Sequence, residues 1–260
     1  MNTENQPRKT TYHSPSDAIR IVPLHKPGAE ALAPAAAPKL VYRNGPLLTS
    51  VEIFTIFWGS DWQQQPSAGI VAQMNQFFDF VLTSSLMDQL SEYSVAGQSI
   101  GHGKRTGSIT LTTPAPSASV TDQDIQQLLQ QEISNNAAFP QPSPNTLYFV
   151  FAPSGTTVVQ GGSSSCQQFC GYHDAINGSI FYAVMPFPDC AGCLGGTAQL
   201  DALTSTSSHE LCEAITDPIP GQGWYDDANG EIGDICAWKS KKLGQFSVQL
   251  EWSNRANKCL

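Results

Sequence analysis

The sequence predicts an α/β (α+β) domain, in which a mixed β-sheet is backed by two helices and followed by a third helix with the candidate active site. Strand-like segments rich in β-branched and aromatic residues alternate with segments of helical periodicity. The chain has 260 residues, enough for one domain or at most two, and no apolar run long enough to cross a membrane. We therefore expect a single domain over residues 41–260.

The predicted elements follow one another in a simple order. The first strand is too apolar to lie at an exposed edge, and Gly59 ends it. The first helix opens at Pro66, and Thr121 caps the second. In chain order the elements are a strand at 51–58, a helix from 66 to about 82, a short strand at 108–112, a helix after 121, strands at 147–151 and 179–185, and a helix at about 200–216.

Charge divides the chain into two parts. Residues 1–43 carry a net charge of +3 and the remainder carries −12, giving −9 in total. An acidic domain lacks the basic face that phosphate contacts need, so nucleic acid is excluded as a partner. Residues 1–40 are rich in proline and lack periodicity, which predicts a flexible arm or an inhibitory pro-segment, cleaved between Pro38 and Thr49, that lies over an acidic cleft.

The cysteines indicate the compartment. Two pairs have C-x3-C and C-x2-C spacing, which fits a zinc ribbon as well as disulfides. Their loops are rich in Gly and Ser and poor in charge, and the odd count leaves one thiol over, which favours disulfides. We therefore expect a secreted, extracellular protein, with no classical signal peptide visible. The seven cysteines are Cys166, Cys170, Cys190, Cys193, Cys212, Cys236 and Cys259.

The last predicted helix contains His-Glu-Leu-Cys-Glu at residues 209–213. His209 and Glu213 are four residues apart, so they project from the same helical face and can bind one ion. Glu210 has the place of the general base in H-E-x-x-H zinc peptidases. Because zinc also accepts carboxylate oxygen, a Glu in place of the second His keeps two ligands; the same five residues also fit a solvated acidic helix face.

A mononuclear zinc site needs a third ligand from another element, and an acidic segment follows the helix at residues 223–236. Asp234 and Glu231 are the candidates, and His173 is a further alternative as a fourth ligand or a substrate contact. The same segment also fits a calcium loop, since oxygen side chains surround a Gly turn. Calcium is therefore an alternative or additional cation. The loop residues are Asp226, Asp227, Asn229 and Glu231.

Short motifs over residues 42–260 carry a family resemblance. They are Arg43–Thr49 with the strand into Phe57-Trp58-Gly59, Cys166–His173, the second cysteine pair, Ile215–Pro218, Gly223–Tyr225, Glu231–Cys236 and a final cysteine. In this order they resemble the phosphate-induced protein 1, or EXORDIUM-like, family of secreted plant proteins. The resemblance implies secretion and the disulfides Cys166–Cys170, Cys190–Cys193 and Cys236–Cys259, with Cys212 left over as a buried free thiol.

The plant pattern differs from this chain at the candidate site. It keeps an equivalent of Glu231 but lacks those of His209, Glu210, Glu213 and Asp234, so the chain looks more like bacterial members that retain a peptidase-like helix. Residues that are absent together are expected to work together, which favours Asp234 over Glu231 as third ligand. The order of elements is also similar to the metzincin-type zinc-peptidase core, although Ile219 stands where a metzincin has its third His.

These observations predict a secreted zinc-dependent hydrolase, a metallopeptidase acting on protein or peptide, with residues 41–260 as its catalytic domain. The alternative is a non-catalytic extracellular protein that binds cell-wall carbohydrate or calcium, with Trp58 and Trp62 among its stacking surfaces. The residues assigned to the hydrolase are Glu210 as base, His209, Glu213 and Asp234 as metal ligands, and Trp224 and Tyr225 as substrate contacts.

Overall fold

The computed structural model describes residues 21–26 and 37–260. Most of the predicted arm, residues 1–20 and 27–36, lies outside the described residues. The strands are β1 (Ile21–Pro23), β2 (Val41–Tyr42), β3 (Glu52–Trp58), β4 (Lys104–Leu111), β5 (Ser119–Thr121), β6 (Thr146–Phe151), β7 (Thr157–Gln160), β8 (Ser163–Ser164), β9 (Phe169–Ile176), β10 (Ile180–Met185), β11 (Trp224–Tyr225), β12 (Ser240–Leu243), β13 (Phe246–Gln249), β14 (Trp252–Ser253) and β15 (Lys258–Cys259). The α-helices are α1 (Ser67–Val81), α2 (Ser85–Leu90), α3 (Asp122–Asn135), α4 (Ala191–Leu194) and α5 (Gln199–Thr216).

The central sheet is mixed and has the strand order β1-β9-β10-β6-β3-β4. Strands β4, β3, β6 and β10 run parallel to one another. Strand β9 is antiparallel to β10, and β1 is antiparallel to β9. The predicted mixed α/β architecture is confirmed by this arrangement.

Helices cover both faces of the sheet. Along β3, Phe57 packs with α1 and α5 in one apolar core, whereas Ile56 packs with α3 in the other. Burial on both faces explains why this strand reads as a continuous apolar run rather than an alternating one. The two helices predicted to back the sheet therefore lie on opposite faces, and α1 shares its face with α5. Within the described ranges, no helix is long and apolar enough to cross a membrane.

The predicted elements are found, and two further strands extend the sheet. Thr121 caps α3 as expected, because its side chain and that of Asp124 form a reciprocal capping box. Strand β9 was not anticipated, since its sequence, Phe-Cys-Gly-Tyr-His-Asp-Ala-Ile, was interpreted as the end of a disulfide loop. Strand β1 was not anticipated either; it is the described part of the arm, and it pairs with β9.

Two of the three disulfides connect the start of β9 with α4. Cys166 and Cys170 do not pair with each other, because α4 lies against the start of β9 and brings one cysteine opposite each of them at Cα separations of 5.7 and 5.4 Å. The predicted Cys166–Cys170 and Cys190–Cys193 pairings are therefore wrong. Three disulfides are compatible with an extracellular protein. They are Cys166–Cys190, Cys170–Cys193 and Cys236–Cys259; the last was predicted correctly, as was the buried free Cys212.

Thiol titration of the unfolded, non-reduced protein is expected to find one free thiol per chain, and titration of the native protein none, because Cys212 is fully buried. The variant Cys212→Ser should show no thiol in either state. More than one thiol per unfolded wild-type chain would contradict the disulfide pattern.

Candidate metal centre

Helix α5 is buried along its C-terminal half, between the sheet and the hairpin of β12 and β13. Small side chains allow this close packing: Ser208 is fully buried, and its Oγ accepts a hydrogen bond of 2.8 Å from the backbone N–H of Gln249. His209 and Glu210 are 0% exposed, and Glu213 is 1% exposed. The predicted acidic helix face is therefore not solvated, which removes the interpretation of the motif as an ordinary surface helix.

The three predicted zinc ligands meet in the structure. Nε2 of His209 lies 2.9 Å from Oε1 of Glu213 and 4.0 Å from Oδ1 of Asp234. The potential ligand atoms of the three side chains all lie within 4.8 Å of one another. Nε2 of His209 is buried and lies at ion-pair distance from the Glu213 carboxylate, but it makes no well-aligned hydrogen bond.

Two glycines bring Asp234 to the helix. A Cβ on Gly233 would lie 2.7 Å from Nδ1 of His209 and 2.9 Å from Oε1 of Glu213, so no larger residue fits there. Gly230 has a φ of +85° and leaves the space that the Asp234 carboxylate occupies. The backbone N–H of Asp234 then donates to Oε1 of Glu213 at 3.1 Å. The close approach of this segment to α5 is therefore encoded partly by its glycines.

His173 joins the same buried cluster from strand β9. Its Nδ1 lies 2.9 Å from Oε2 of Glu210 and 3.6 Å from Oε2 of Glu213. Its Nε2 lies 3.5 Å from Oε1 of Glu231 and 3.2 Å from the backbone carbonyl of Asp217. The structure thus brings His173 next to the candidate base, and Glu231 next to the other ring nitrogen of His173.

Hydrogen-bond partners set the two imidazoles differently. A carbonyl oxygen only accepts, so Nε2 of His173 carries a proton that it donates to Asp217. Nδ1 of His209 faces Nε2 of Gln249 at 2.8 Å, and the same amide nitrogen donates to the Gly233 carbonyl at 2.9 Å. In this arrangement Nδ1 of His209 accepts. Binding of a metal at Nε2 of His209 requires the Gln249 amide to turn, so that its oxygen accepts a proton from Nδ1.

The cluster contains more negative charge than its protein surroundings balance. Within ion-pair distance of its four carboxylates, the described residues provide only the two histidines and no Lys or Arg. Burial raises the pKa of the Glu210 carboxyl, and it raises the pKa values of Glu231 and Asp234 well above their ordinary range. The four carboxylates are those of Glu210, Glu213, Glu231 and Asp234.

Burial and the neighbouring carboxylates shift the pKa values of the two histidines in opposite directions. Burial alone lowers the pKa of His209, but the carboxylates of Glu213, Glu210 and Asp234 together outweigh it, and the pKa is raised well above the usual value. For His173 the carboxylates of Glu231 and Glu210 likewise outweigh burial and raise the pKa. Either bound protons or a cation must neutralise such a cluster, because unpaired buried charge is strongly unfavourable.

The residues present fit a divalent cation. Several buried polar atoms have no hydrogen-bond partner, and imidazole nitrogen with carboxylate oxygen is a usual donor set for zinc. The sequence analysis missed the supporting residues Gly233, Gln249 and Asp217, whose positions depend on tertiary contacts. The only sequence signal for Asp217 is its place at the end of the helix before Pro218. The orphaned atoms around the cluster are Nε2 of His209, Oε1 of Glu210 and both carboxylate oxygens of Glu231 and of the neighbouring Glu251.

The remaining predicted site residues lie elsewhere or have other partners. In the candidate calcium loop, Oδ1 of Asp226 accepts from the backbone of Ala228 and Asn229, and Asp227 pairs with Arg43. Trp224 is half-buried, with its indole N–H donating to the Tyr93 carbonyl, and Tyr225 is 2% exposed. The proposed stacking residues Trp58 and Trp62 are buried as well.

Comparison with known proteins shows a distant similarity to a plant protein. No family model matches the chain. The chain is similar to Protein EXORDIUM-like 5 of Arabidopsis thaliana, with 24% identity over 236 residues. The match covers 76% of this chain and 63% of the relative, so the chain spans less than two thirds of that protein's length. This similarity supports an EXORDIUM-like family assignment, as the motifs predicted.

The metal-free protein is expected to lose stability as pH rises from about 5 to 8. The pKa values of Glu210, Glu231 and Asp234 are raised in the folded protein, so the folded state binds more protons than the unfolded state in this range. A bound cation replaces those protons. Thermal unfolding of chelator-treated and zinc-loaded protein should therefore show a difference in Tm that widens with pH; a constant difference would contradict this.

Proposed function

We propose that this protein is a zinc-dependent hydrolase, a metallopeptidase that acts outside the cell on protein or peptide. His209, Glu213 and Asp234 would hold the zinc ion, and Glu210 would act as the general base. The proposal includes a metzincin-type core, for which the order of elements along the chain is the support. A likeness of fold alone does not define an activity, so the proposal depends on the site.

One observation carries the proposal. In the fully buried part of α5, an imidazole nitrogen without a hydrogen-bond partner faces two carboxylates from different elements, and a further Glu lies beside it. His209 and Glu213 come from one helical face, and Asp234 comes from the segment after it. Two ligands from the helix and one from another element make three, which is the usual number of protein ligands in a catalytic zinc site.

The residues around the ion would divide the chemistry. Zinc, when bound, polarises the substrate carbonyl and makes water more acidic. Glu210 would take the proton of the attacking water and return it to the leaving amine. His173, whose Nδ1 lies 2.9 Å from Oε2 of Glu210, would orient that carboxylate. Gln249 would hold the His209 ring through Nδ1 once its amide oxygen faces the ring.

The N-terminal arm offers a reason for the complete burial of the site. Strand β1 pairs along β9, with Val22 opposite Gly171. A Cβ on Gly171 would lie 3.3 Å from Oε1 of Glu210, so this part of β9 is next to the candidate base. We include in the proposal that the arm is a pro-segment. The proposed cleavage lies between Pro38 and Thr49; the N–H of Lys39 donates to Asp226 at 2.7 Å, which favours the start of that range.

The second candidate is a non-catalytic extracellular protein in which the ion only stabilises the fold. The observation that favours it is the burial of the whole cluster, because a catalytic site needs access for water and substrate. In that case the ion takes the place of the protons that otherwise neutralise the carboxylates. The two candidate functions predict the same metal content, but they differ in the effect that replacement of Glu210 has on hydrolysis.

Replacement of the base separates the two candidates. Glu210→Gln should keep the zinc ion held by His209, Glu213 and Asp234 and reduce peptide hydrolysis by about 10²-fold or more, whereas Glu213→Gln should lose that ion as well. Zinc per chain is measured by mass spectrometry and turnover on a generic protein substrate. Glu132→Gln, on the distant helix α3, is the matched control. A wild-type protein with zinc but no turnover, with or without its arm, would favour the stabilising role.

Removal of the arm is expected to activate the enzyme. A protein that begins at Lys39 should hydrolyse the same substrate faster than the full chain, because loss of β1 frees the edge of β9. Activity and zinc content are compared for the two proteins at equal concentration. Equal activity of the two would remove the pro-segment from the proposal while leaving the zinc site in place.

A further inference from the structure

Glu213 faces two histidines with its two oxygens. Oε1 lies 2.9 Å from Nε2 of His209, and Oε2 lies 3.6 Å from Nδ1 of His173. A second set of potential ligand atoms, from His173, Glu210 and Glu213, lies within 4.8 Å, and all three side chains are buried. We propose that this cluster holds a second divalent cation, bound by His173, Glu210 and Glu213, with Glu213 bridging the two ions.

His173 is already set for coordination through Nδ1. Its Nε2–H donates to the backbone carbonyl of Asp217, which fixes the tautomer and leaves the lone pair of the neutral ring on Nδ1. A ligating histidine usually makes such a contact with its other ring nitrogen. The one change needed is loss of the proton that Nδ1 shares with Glu210, and no amide has to turn as Gln249 does beside His209.

Unsatisfied oxygens point to a ligand independently of the spacing. Oε1 of Glu210, one of the three proposed ligands, is buried and lacks a hydrogen-bond partner. Carboxylate oxygens in the interior are otherwise hydrogen-bonded or bound to metal. Glu231 lies on the other side of the His173 ring, where its charge is 3.5 Å from Nε2 and strengthens the donor character of the ring.

The charge of the cluster matches two ions better than one. Glu210, Glu213, Glu231 and Asp234 together carry four negative charges when ionised, and the described residues provide no Lys or Arg to pair with them. Two divalent cations with neutral histidines balance these four charges, and the buried carboxyl groups of Glu251 and Asp217 beside the cluster add to the negative charge. A single ion leaves two carboxylates without a cation, except for a proton on His173.

The inference rests on the proposed metal centre and adds a regulatory consequence. Glu210 cannot accept a proton from water while it binds a cation. The form with one ion would therefore be the active one, and excess zinc would inhibit by filling the second site. Inhibition would be relieved in variants that lose the second ion but keep Glu210.

Metal stoichiometry of the full chain tests the second site. Protein freed of metal and then dialysed against zinc is expected to hold about two ions per chain, and His173→Ala about one. His102→Ala, which alters an exposed histidine, should match the wild type. Binding of one ion to wild type and to His173→Ala alike would overturn the second site but leave the proposed zinc site. Binding of none would overturn both.

A second measurement covers the case in which His173→Ala does not fold. The wild type loaded with Mn²⁺ should give an electron paramagnetic resonance signal of an exchange-coupled pair, because ions that share the Glu213 carboxylate lie close together. His173→Gln, which keeps a polar side chain of similar reach, should give the signal of isolated ions. An uncoupled signal from wild type at full loading would contradict the bridge.

Discussion

The burial of charge on helix α5 is the constraint on which the rest of the structure depends. Glu210 and Glu213 lie between a sheet and a hairpin, where water cannot screen them. Each neighbouring element therefore has to provide either a polar partner or space for an ion. β9 provides His173, the segment after Gly230 provides Asp234, and the last residue of β13, Gln249, provides a side-chain amide. A helix packed by apolar residues alone would need none of these features.

This constraint also explains why short-range sequence signals do not describe the centre completely. Gly233 lets the backbone come so close to the His209 ring that a Cβ at this position would lie 2.7 Å from Nδ1. Gln249 contacts the same ring nitrogen from another side. Asp217 ends the helix, accepts N–H groups of the following turn, and turns its own carbonyl toward His173. Its pKa is raised to about 6, chiefly by burial. Each of these residues acts through its neighbours in space.

The sequence predicted the elements whose signals are local and missed those that depend on tertiary contacts. Periodicity and capping identified α1 and α3, a helix was predicted at the position of α5, and the four-residue spacing of His209 and Glu213 predicted their convergence, which the structure shows. Strand β9 has no regular alternation, since one face lies on α3 and the other on α5. The crossed disulfides were missed for the same reason, because their pairing depends on where α4 lies against β9.

The crossed disulfides and strand β1 form one unit at the sheet edge. Val22 of β1 packs with Cys170 and Cys193, and the Trp238 indole N–H donates to the Pro23 carbonyl at 2.9 Å. The two disulfides also hold α4 in place, and the Gly192 carbonyl of α4 accepts a hydrogen bond from the backbone N–H of His25. Oxidation of these cysteines therefore shapes the surface on which β1 lies, next to Glu210. A cover that depends on disulfides would be complete only in an oxidising compartment, which links the burial of the centre to the place where the cysteines are paired.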